Sequence, residues 1–252
     1  STTLNESANY IEQTSDGGYI IAGSQNDSLG YFDLFILKLN SSGDYQWHKT
    51  FGPDRNEYAK TVHAVKDGYI LIGDMGDSLS SYDVIVYKLD SLGNKVWAQS
   101  YGDSLVNGSQ GLIATSDGNY LLYGETEASP GERFDGYLEK IDANGTSLWK
   151  NTYGGTGADA VFSVKETTDG GFVCTGYSNS SNNNEPLDVM VFKTDPLGKL
   201  SWQHTYGGSG IDIGYELVKN YQDNGFIIAG TTFSNADDYY LLQLNETGII
   251  TA

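Results

Sequence analysis

One apolar segment recurs five times along the chain and constrains the fold more than any other feature. The copies are DGGYIIAG from Asp16, DGYILIG from Asp67, DGNYLLYG from Asp117, DGGFVCTG from Asp169 and DNGFIIAG from Asp223. Their starts lie 51, 50, 52 and 54 residues apart. A fixed period of this length is typical of propellers, solenoids and arrays, in which each repeat is one structural unit.

Two further segments keep the same register. A segment of the form Asp-apolar-Lys-Leu-Asp/Asn-x-x-Gly follows each copy, from Asp33, Asp83, Asp135, Asp188 and Asp238. A Trp segment that ends in Phe-Gly or Tyr-Gly follows in four units, from Trp47, Trp97, Trp149 and Trp202. Four units therefore carry all three ordered landmarks and the fifth carries the first two, so the repeat covers the whole chain.

Each unit reads as four short strands. The first strand precedes the Asp-Gly turn, and Gly supplies the positive φ that a tight hairpin needs. The second strand is apolar on both faces, as expected when it is flanked by other strands and covered by neighbouring sheets. No long stretch shows the 3.6-residue helical period. Four strands every ~50 residues predict an all-β, five-bladed β-propeller of antiparallel blades, a single domain over 1–252. The expected blades are 5–52, 53–102, 103–154, 155–207 and 208–252.

Closure of the ring is the irregular point. Gly248 is followed only by IITA, so the fifth unit stops where the Trp should stand. Three explanations stay open: a tolerated short edge strand, a longer parent chain, or a strand donated by another subunit.

The three landmarks together resemble the repeat propellers of secreted and surface-attached bacterial and archaeal proteins. The resemblance spans essentially the whole chain and is specific for the fold. It implies that the chain is a binding or interaction module, because such propellers often stand in tandem with immunoglobulin-like or sorting domains. The Asp-x-x-Gly turn followed by Trp is also similar to larger quinone-cofactor propellers, but no matching cofactor residues occur here.

Charge and cysteine content restrict the partners and the compartment. The chain has 14 Lys+Arg against 33 Asp+Glu, a net charge of −19, which excludes general binding to nucleic acid phosphates. The single cysteine, Cys174, cannot form an intramolecular disulfide, so stability must come from packing. We expect an extracellular or cell-surface protein. Seven sequons are candidate glycosylation sites, with turn chemistry as the alternative reading: Asn5, Asn26, Asn40, Asn107, Asn144, Asn179 and Asn245.

Residues that recur in every unit are expected to be structural. The Trp residues are predicted to pack between blades. The same holds for the lysines of the third strands at turns and edges, and for Cys174 as a small buried apolar residue. Chemistry is expected where the repeat is broken. Four residues before each turn the first strands carry Glu12, His63, Ile113, Lys165 and Lys219, a candidate ring for a small polar ligand or a solvated tunnel mouth. The loops 24–32, 125–134 and 177–186 are candidate recognition loops.

Catalytic and metal motifs are not found in the sequence. The three histidines have no zinc-ligand spacing, and no nucleophile elbow, P-loop or EF-hand occurs. A glycosidase would need two carboxylates across the tunnel mouth. Candidate acids are Glu12, Glu125, Glu127, Glu132, Glu166 and Glu216. No cofactor is expected, although calcium at an acidic loop such as Asp237-Asp238 stays an alternative.

The sequence alone therefore predicts a non-enzymatic extracellular module. Its concrete form would be a subunit of a filament or surface layer, with other surface proteins, copies of itself or glycans as partners. A carbohydrate-binding propeller is the first alternative, and a glycosidase with acids at the tunnel mouth is the second.

Overall fold

The computed structural model describes residues 5–251 apart from 53–54, 79–80, 103–104, 128, 130–132, 181–185, 221–224 and 234–237. Within these ranges the chain forms strands β1 to β19 and no helix, which confirms the all-β prediction. It follows that the described residues include no helix long and apolar enough to span a lipid bilayer.

The strands form five sheets. The first contains β1 (Glu6–Gln13), β2 (Tyr19–Asn26), β3 (Phe32–Leu39) and β4 (Tyr45–Phe51). The second contains β5 (Glu57–Val65), β6 (Gly68–Ser78), β7 (Ser81–Leu89) and β8 (Lys95–Tyr101). The third contains β9 (Asn107–Ala114), β10 (Tyr120–Glu127), β11 (Phe134–Ile141) and β12 (Ser147–Tyr153). The fourth contains β13 (Asp159–Glu166), β14 (Phe172–Ser178), β15 (Asp188–Thr194) and β16 (Leu200–Tyr206). The fifth contains β17 (Asp212–Asn220), β18 (Gly225–Thr232) and β19 (Asp238–Leu244).

Each sheet is an antiparallel meander in which consecutive strands are neighbours. Four sheets have the four strands that the repeat predicts, and the fifth has three in the described part of the chain. Beyond β19 the chain continues only as an isolated bridge between Leu244 and Ile250, with Thr251 N–H donating to Gln243 O. The fifth sheet thus has a fragment in place of the Trp-bearing strand.

Contacts divide the chain into two compact units, Ser1–Leu112 and Ile113–Ala252, with the boundary inside β9. In the first unit, Ile20, Leu34 and Ile36 of the first sheet pack in one cluster with Val62 and Leu71 of the second. In the second unit, side chains of β14 and β15 pack in the same way with β17, β18 and β19. Both faces of β14 are buried, as predicted for the second strand of a unit.

Trp packing also follows the prediction. The Trp47 ring lies 5.8 Å from Tyr69 of the next sheet, and an atom added at Gly93 would meet the same indole at 2.7 Å. Trp202 packs against Gly248 in the same manner. The indoles of Trp47, Trp149 and Trp202 therefore lie over the glycine turn of the following sheet. Cys174 is fully buried, and burial raises the pKa of its thiol.

The repeated lysines fold back over the first hairpin of their own sheet. Lys38 Nζ lies 3.0 Å from an Asp16 carboxylate oxygen, and the same pair recurs as Lys88–Asp67, Lys140–Asp117 and Lys193–Asp169. The lysine is buried in three of these pairs, while its aspartate stays exposed at the turn. Gln243 stands at this position in the fifth sheet. The turn aspartates of four sheets thus each have a lysine partner in their own sheet.

A β-bulge recurs in the first strands. The register shifts by one residue at Asn9, Lys60, Phe162 and Tyr215. Opposite each bulge stands the last glycine of the apolar segment. A Cβ at Gly23 or Gly176 would lie 2.2 or 1.9 Å from a backbone oxygen of the bulged strand. The glycine is therefore required by the close approach of the backbone carbonyl two residues before the bulged residue.

Candidate functional site

The first strands carry the residues that break the repeat. The bulged positions have equivalent backbone pairing but carry different side chains, namely those of Asn9, Lys60, Phe162 and Tyr215. Phe162 and Tyr215 stack at 5.6 Å with an interplanar angle of 4°, and Tyr215 is 48% exposed. Bulges re-aim side chains and are common beside active sites. The first strands are thus the part of each sheet in which side-chain chemistry differs most.

Glu12 and His63 form a close pair on the first strands of two adjoining sheets. His63 Nδ1 lies 2.8 Å from Glu12 Oε2, and the Ala64 N–H donates to Glu12 Oε1 at 2.9 Å. Tyr10 lies edge-on to the imidazole at 5.3 Å. Both members of the pair remain about a quarter exposed. The carboxylate is therefore held on both oxygens, and the imidazole is fixed in orientation.

The ionisation of Glu12 determines the tautomer of His63. Burial raises the pKa of Glu12, but the hydrogen bonds from His63 and Ala64 outweigh it, so that the pKa is lowered overall. An ionised carboxylate can only accept, so Nδ1 must carry the proton when His63 is neutral. Nε2 makes no hydrogen bond to any residue that the structure describes, and its lone pair is available to take a proton.

A groove of about 450 Å³ adjoins this pair, which we call the first groove. It runs between the first and second sheets and is lined by Ala64, whose backbone N–H donates to Glu12. Trp47 and Tyr69 line it as aromatic surfaces, and the Lys38–Asp16 ion pair lies at one side. The groove thus places the Trp47 indole and a donor–acceptor pair next to Ala64, the residue whose N–H is bonded to Glu12.

The other predicted positions of the ring meet in the second unit. Ile113, Lys165 and Lys219 line one cavity of about 410 Å³, together with Glu166 and Val218. The register, however, gives Val218 and not Lys219 the position of Glu12, His63 and Lys165, because Val218 pairs with Ile227 and Lys165 with Val173. Lys219 lies one residue nearer to the turn and is the counterpart of Ala64.

Most of the other candidate acids have a partner. Glu216 accepts from Ser163 Oγ and Lys165 Nζ at 2.9 and 3.0 Å. Glu166 accepts from the backbone and hydroxyl of Ser116. Tyr177 Oη lies 3.5 Å from Glu125. Glu127 ends β10, and Glu132 and Asp237 lie outside the described residues. In the described ranges no three His, Cys, Asp or Glu side chains come together as a metal site would require.

The candidate glycosylation sites occupy different environments. The side chains of Asn40 and Asn245 accept backbone N–H groups of their own turns. Asn144 is exposed, and Asn179 accepts from Ala158 N–H. Asn107 is 1% exposed, so a glycan cannot attach there in the folded chain, and we do not carry this sequon forward. Asn5 is exposed and Asn26 is half-buried.

Sequence reasoning missed a set of buried groups at the first residue of the first strands. Glu57, Asn107, Asp159 and Asp212 are 0 to 3% exposed there. Tyr87 Oη donates to both carboxylate oxygens of Glu57 at 3.0 and 3.1 Å. Burial and the nearby charge of Asp33 raise the pKa of Glu57 to about 7, against the effect of the Tyr87 hydrogen bond. The signal was present in the spacing, since Glu6 begins the first strand of the first sheet.

Comparisons with known proteins identify the fold. No protein-family model matches the chain, and no curated protein does. Among solved structures, the endo-arabinase of Bacteroides thetaiotaomicron is 12% identical with a TM-score of 0.50, covering 100% of this chain and 96% of its own. The periplasmic gluconolactonase of Pseudomonas aeruginosa is 14% identical with a TM-score of 0.60, covering 96% and 68%. A subtype N10 neuraminidase-like protein from a little yellow-shouldered bat virus is 8% identical with a TM-score of 0.54, covering 93% and 78%.

These likenesses, with sheets of four antiparallel strands, support a β-propeller fold. They also correct the functional prediction. The expectation of a non-enzymatic structural or interaction module is wrong, because an arabinase and a lactonase are among the proteins that share the fold. Identities of 8 to 14% show the fold, and the activity of this chain has to be argued from its own side chains.

Proposed function

We propose that the five sheets are the blades of a five-bladed propeller and that the chain is a hydrolase of carbohydrate-derived esters or lactones. The Glu12–His63 pair is the observation that carries the proposal. A carboxylate 2.8 Å from one imidazole nitrogen, with the other nitrogen free to accept, is the arrangement of a general base and the group that orients it.

In the proposed reaction, His63 Nε2 takes a proton from a water molecule as the water oxygen attacks the acyl carbon. The tetrahedral intermediate then expels the alkoxide, which takes the proton from the imidazolium. One water is consumed, one acyl C–O bond breaks, and the products are an acid and an alcohol, joined in one molecule when the substrate is a lactone. Glu12 stays ionised throughout and stabilises the positive charge that forms on His63.

Two observations favour a carbohydrate-derived substrate. The first groove offers the half-buried indole of Trp47, whose face suits the C–H face of a sugar ring, beside the Lys38–Asp16 pair, which both donates and accepts. Among the similar structures are a gluconolactonase and an arabinase, which act on sugar-derived substrates. An ester or lactone is proposed in preference to a glycoside because the close pair consists of a carboxylate and an imidazole, whereas glycosidases use two carboxylates ~5–9.5 Å apart.

The proposed location is extracellular or periplasmic. It is supported by the likeness to a periplasmic gluconolactonase and by the exposed sequons at Asn5 and Asn144. The proposed reaction uses water and two side chains, so we propose no cofactor for it.

The test is hydrolysis of D-glucono-δ-lactone and of acetylated sugars by the purified chain, its His63→Ala variant and its Glu12→Gln variant. Loss of a general base should lower kcat by about 10²–10⁴ in His63→Ala. Glu12→Gln should lower kcat less. The matched control is His48→Ala, at an exposed histidine of β4, which should leave the rate unchanged. Wild-type rates in His63→Ala would refute the assignment of the base, and no turnover of any ester or lactone would refute the proposed activity.

A further inference from the structure

A second groove, between the fourth and fifth sheets, repeats the first groove position by position. It has a volume of about 590 Å³. Trp202 and Phe226 stand where Trp47 and Tyr69 stand in the first groove, and the Lys193–Asp169 pair replaces Lys38–Asp16. The correspondence follows from the strand register, since Phe226 pairs with Lys219 as Tyr69 pairs with Ala64. The second groove therefore keeps the aromatic faces and the donor–acceptor pair.

The two grooves differ mainly at their rim. Ala64, Val65 and Leu92 of the first groove are replaced by Lys219, Asn220 and Thr247 in the second. Ser91 is replaced by Glu246, which is exposed. The side chain of Lys219 makes no ion pair or hydrogen bond with any residue that the structure describes. Three apolar rim positions of the first groove thus carry hydrogen-bonding side chains in the second groove, and a serine is replaced by a carboxylate.

The acid–base pair is not repeated beside the second groove. Lys165 and Val218 occupy the positions of Glu12 and His63. Lys165 is paired with Glu216 at 3.0 Å, and Val218 has no titratable side chain. Neither position supplies a free imidazole, so the second groove can bind a ligand but cannot hydrolyse it by the proposed route.

We propose that the second groove is a non-catalytic binding site for a neutral oligosaccharide. The half-buried indole of Trp202 can stack on the apolar face of a sugar ring, whereas Phe226 is 3% exposed and belongs to the core. Sugar hydroxyl groups both donate and accept, as the mixed rim requires. Lys193 and Lys219 donate, while Asp169 and Glu246 accept. A ligand of a single charge would meet a like charge at this rim, and an anionic ligand would also be opposed by the net charge of −19.

The proposal depends on the proposed function only for the view that the protein meets carbohydrate, and binding can be tested without turnover. Calorimetric titration of the otherwise intact His63→Ala protein with arabinotriose and xylotriose should show saturable binding. The double variant Lys219→Ala/Glu246→Ser gives these two rim positions the residues of the first groove without changing Trp202 or Phe226. It should raise the Kd at least fivefold.

The matched control is Lys95→Ala/Glu6→Ser, at two exposed positions that line neither groove, which should leave this binding unchanged. Equal affinity in both double variants, or no binding of either neutral trisaccharide, would overturn the proposal. Tighter binding of trigalacturonate than of neutral trisaccharides would overturn the ligand class. If hydrolysis is retained but binding to the second groove is lost, this proposal fails and the proposed function stands. If binding to the second groove is retained but no hydrolysis is found, the proposed function fails and this binding site stands.

Discussion

The buried carboxyl of Glu57 makes the stability of this protein depend on pH in a direction that is uncommon for an acid. Its side chain is fully buried and bonded by Tyr87, and burial raises its pKa to about 7. The ordinary value of a glutamate in an unfolded chain is about 4.3. Between these values the folded state binds more protons than the unfolded state, so stability falls as the pH rises through the window.

The size of the effect follows from the two pKa values. A difference of one pKa unit is worth about 1.4 kcal/mol, so ionisation of Glu57 costs the folded state about 4 kcal/mol in full, of which about 3 kcal/mol falls between pH 4.5 and pH 8. Glu57→Gln keeps an acceptor for Tyr87 and removes the titration. The repeat already contains a neutral amide at this position, because Asn107 is buried at the start of β9.

Urea unfolding of the wild type and of Glu57→Gln, followed by tryptophan fluorescence at pH 4.5 and pH 8, tests this reasoning. We expect similar stabilities at pH 4.5 and an advantage of about 3 kcal/mol for the variant at pH 8. Glu6→Gln is the matched control, since Glu6 holds the same position of the repeat on the surface and should change neither value. A difference between wild type and Glu57→Gln that is equal at both pH values would refute the reasoning.

Three further predictions concern the scaffold. Gly176→Ala should destabilise the chain by more than about 2 kcal/mol, because the added Cβ would lie 1.9 Å from Ala160 O, whereas Gly208→Ala has open space and should stay within about 0.5 kcal/mol in the same unfolding assay. The Cys174 thiol is fully buried, so it should react with a thiol reagent such as DTNB only in denaturant, and labelling of the folded protein would contradict the packing. The hydrogen bond from Lys193 lowers the pKa of Asp169 to about 2, so this pair should add a small stability that is present above pH 4 and is lost as the pH falls towards 2. Asp169→Asn should therefore destabilise the chain at pH 6 but not at pH 2, and an equal effect at both pH values would contradict this reasoning.

The strands and their order could be predicted from the sequence because each unit repeats the same local instructions. The Asp-Gly turn, the apolar second strand and the Trp segment each predict one part of a meander. The first two occur five times and the Trp segment four times, so the same prediction is made independently in each unit. The bulges could not be predicted, because an extra residue in a strand leaves no composition signal. The displacement of Lys219 has the same origin, since counting back from the turn assumes a hairpin of constant length.

The candidate site was predicted in part. Glu12 and His63 were identified as first-strand residues that break the repeat, but their pairing depends on how two adjoining sheets pack, which the sequence does not specify. The buried acids were missed because an acid at the start of a strand is normally solvated. The Glu12–His63 pair could not be recognised from the sequence, because its members lie 51 residues apart on two strands and form no local motif.

The bulged residue of each first strand also matters for how such a protein can be altered. In a regular strand every side chain belongs to one of two packed faces, so a change of chemistry usually costs stability. The extra residue at Asn9, Lys60, Phe162 or Tyr215 stands outside that alternation, and an amide, a cation and two aromatic rings already occupy it on one backbone geometry. These four positions show that one backbone geometry accepts side chains of different chemistry within a single chain. They are where new binding chemistry could be introduced while the sheets themselves are left unchanged.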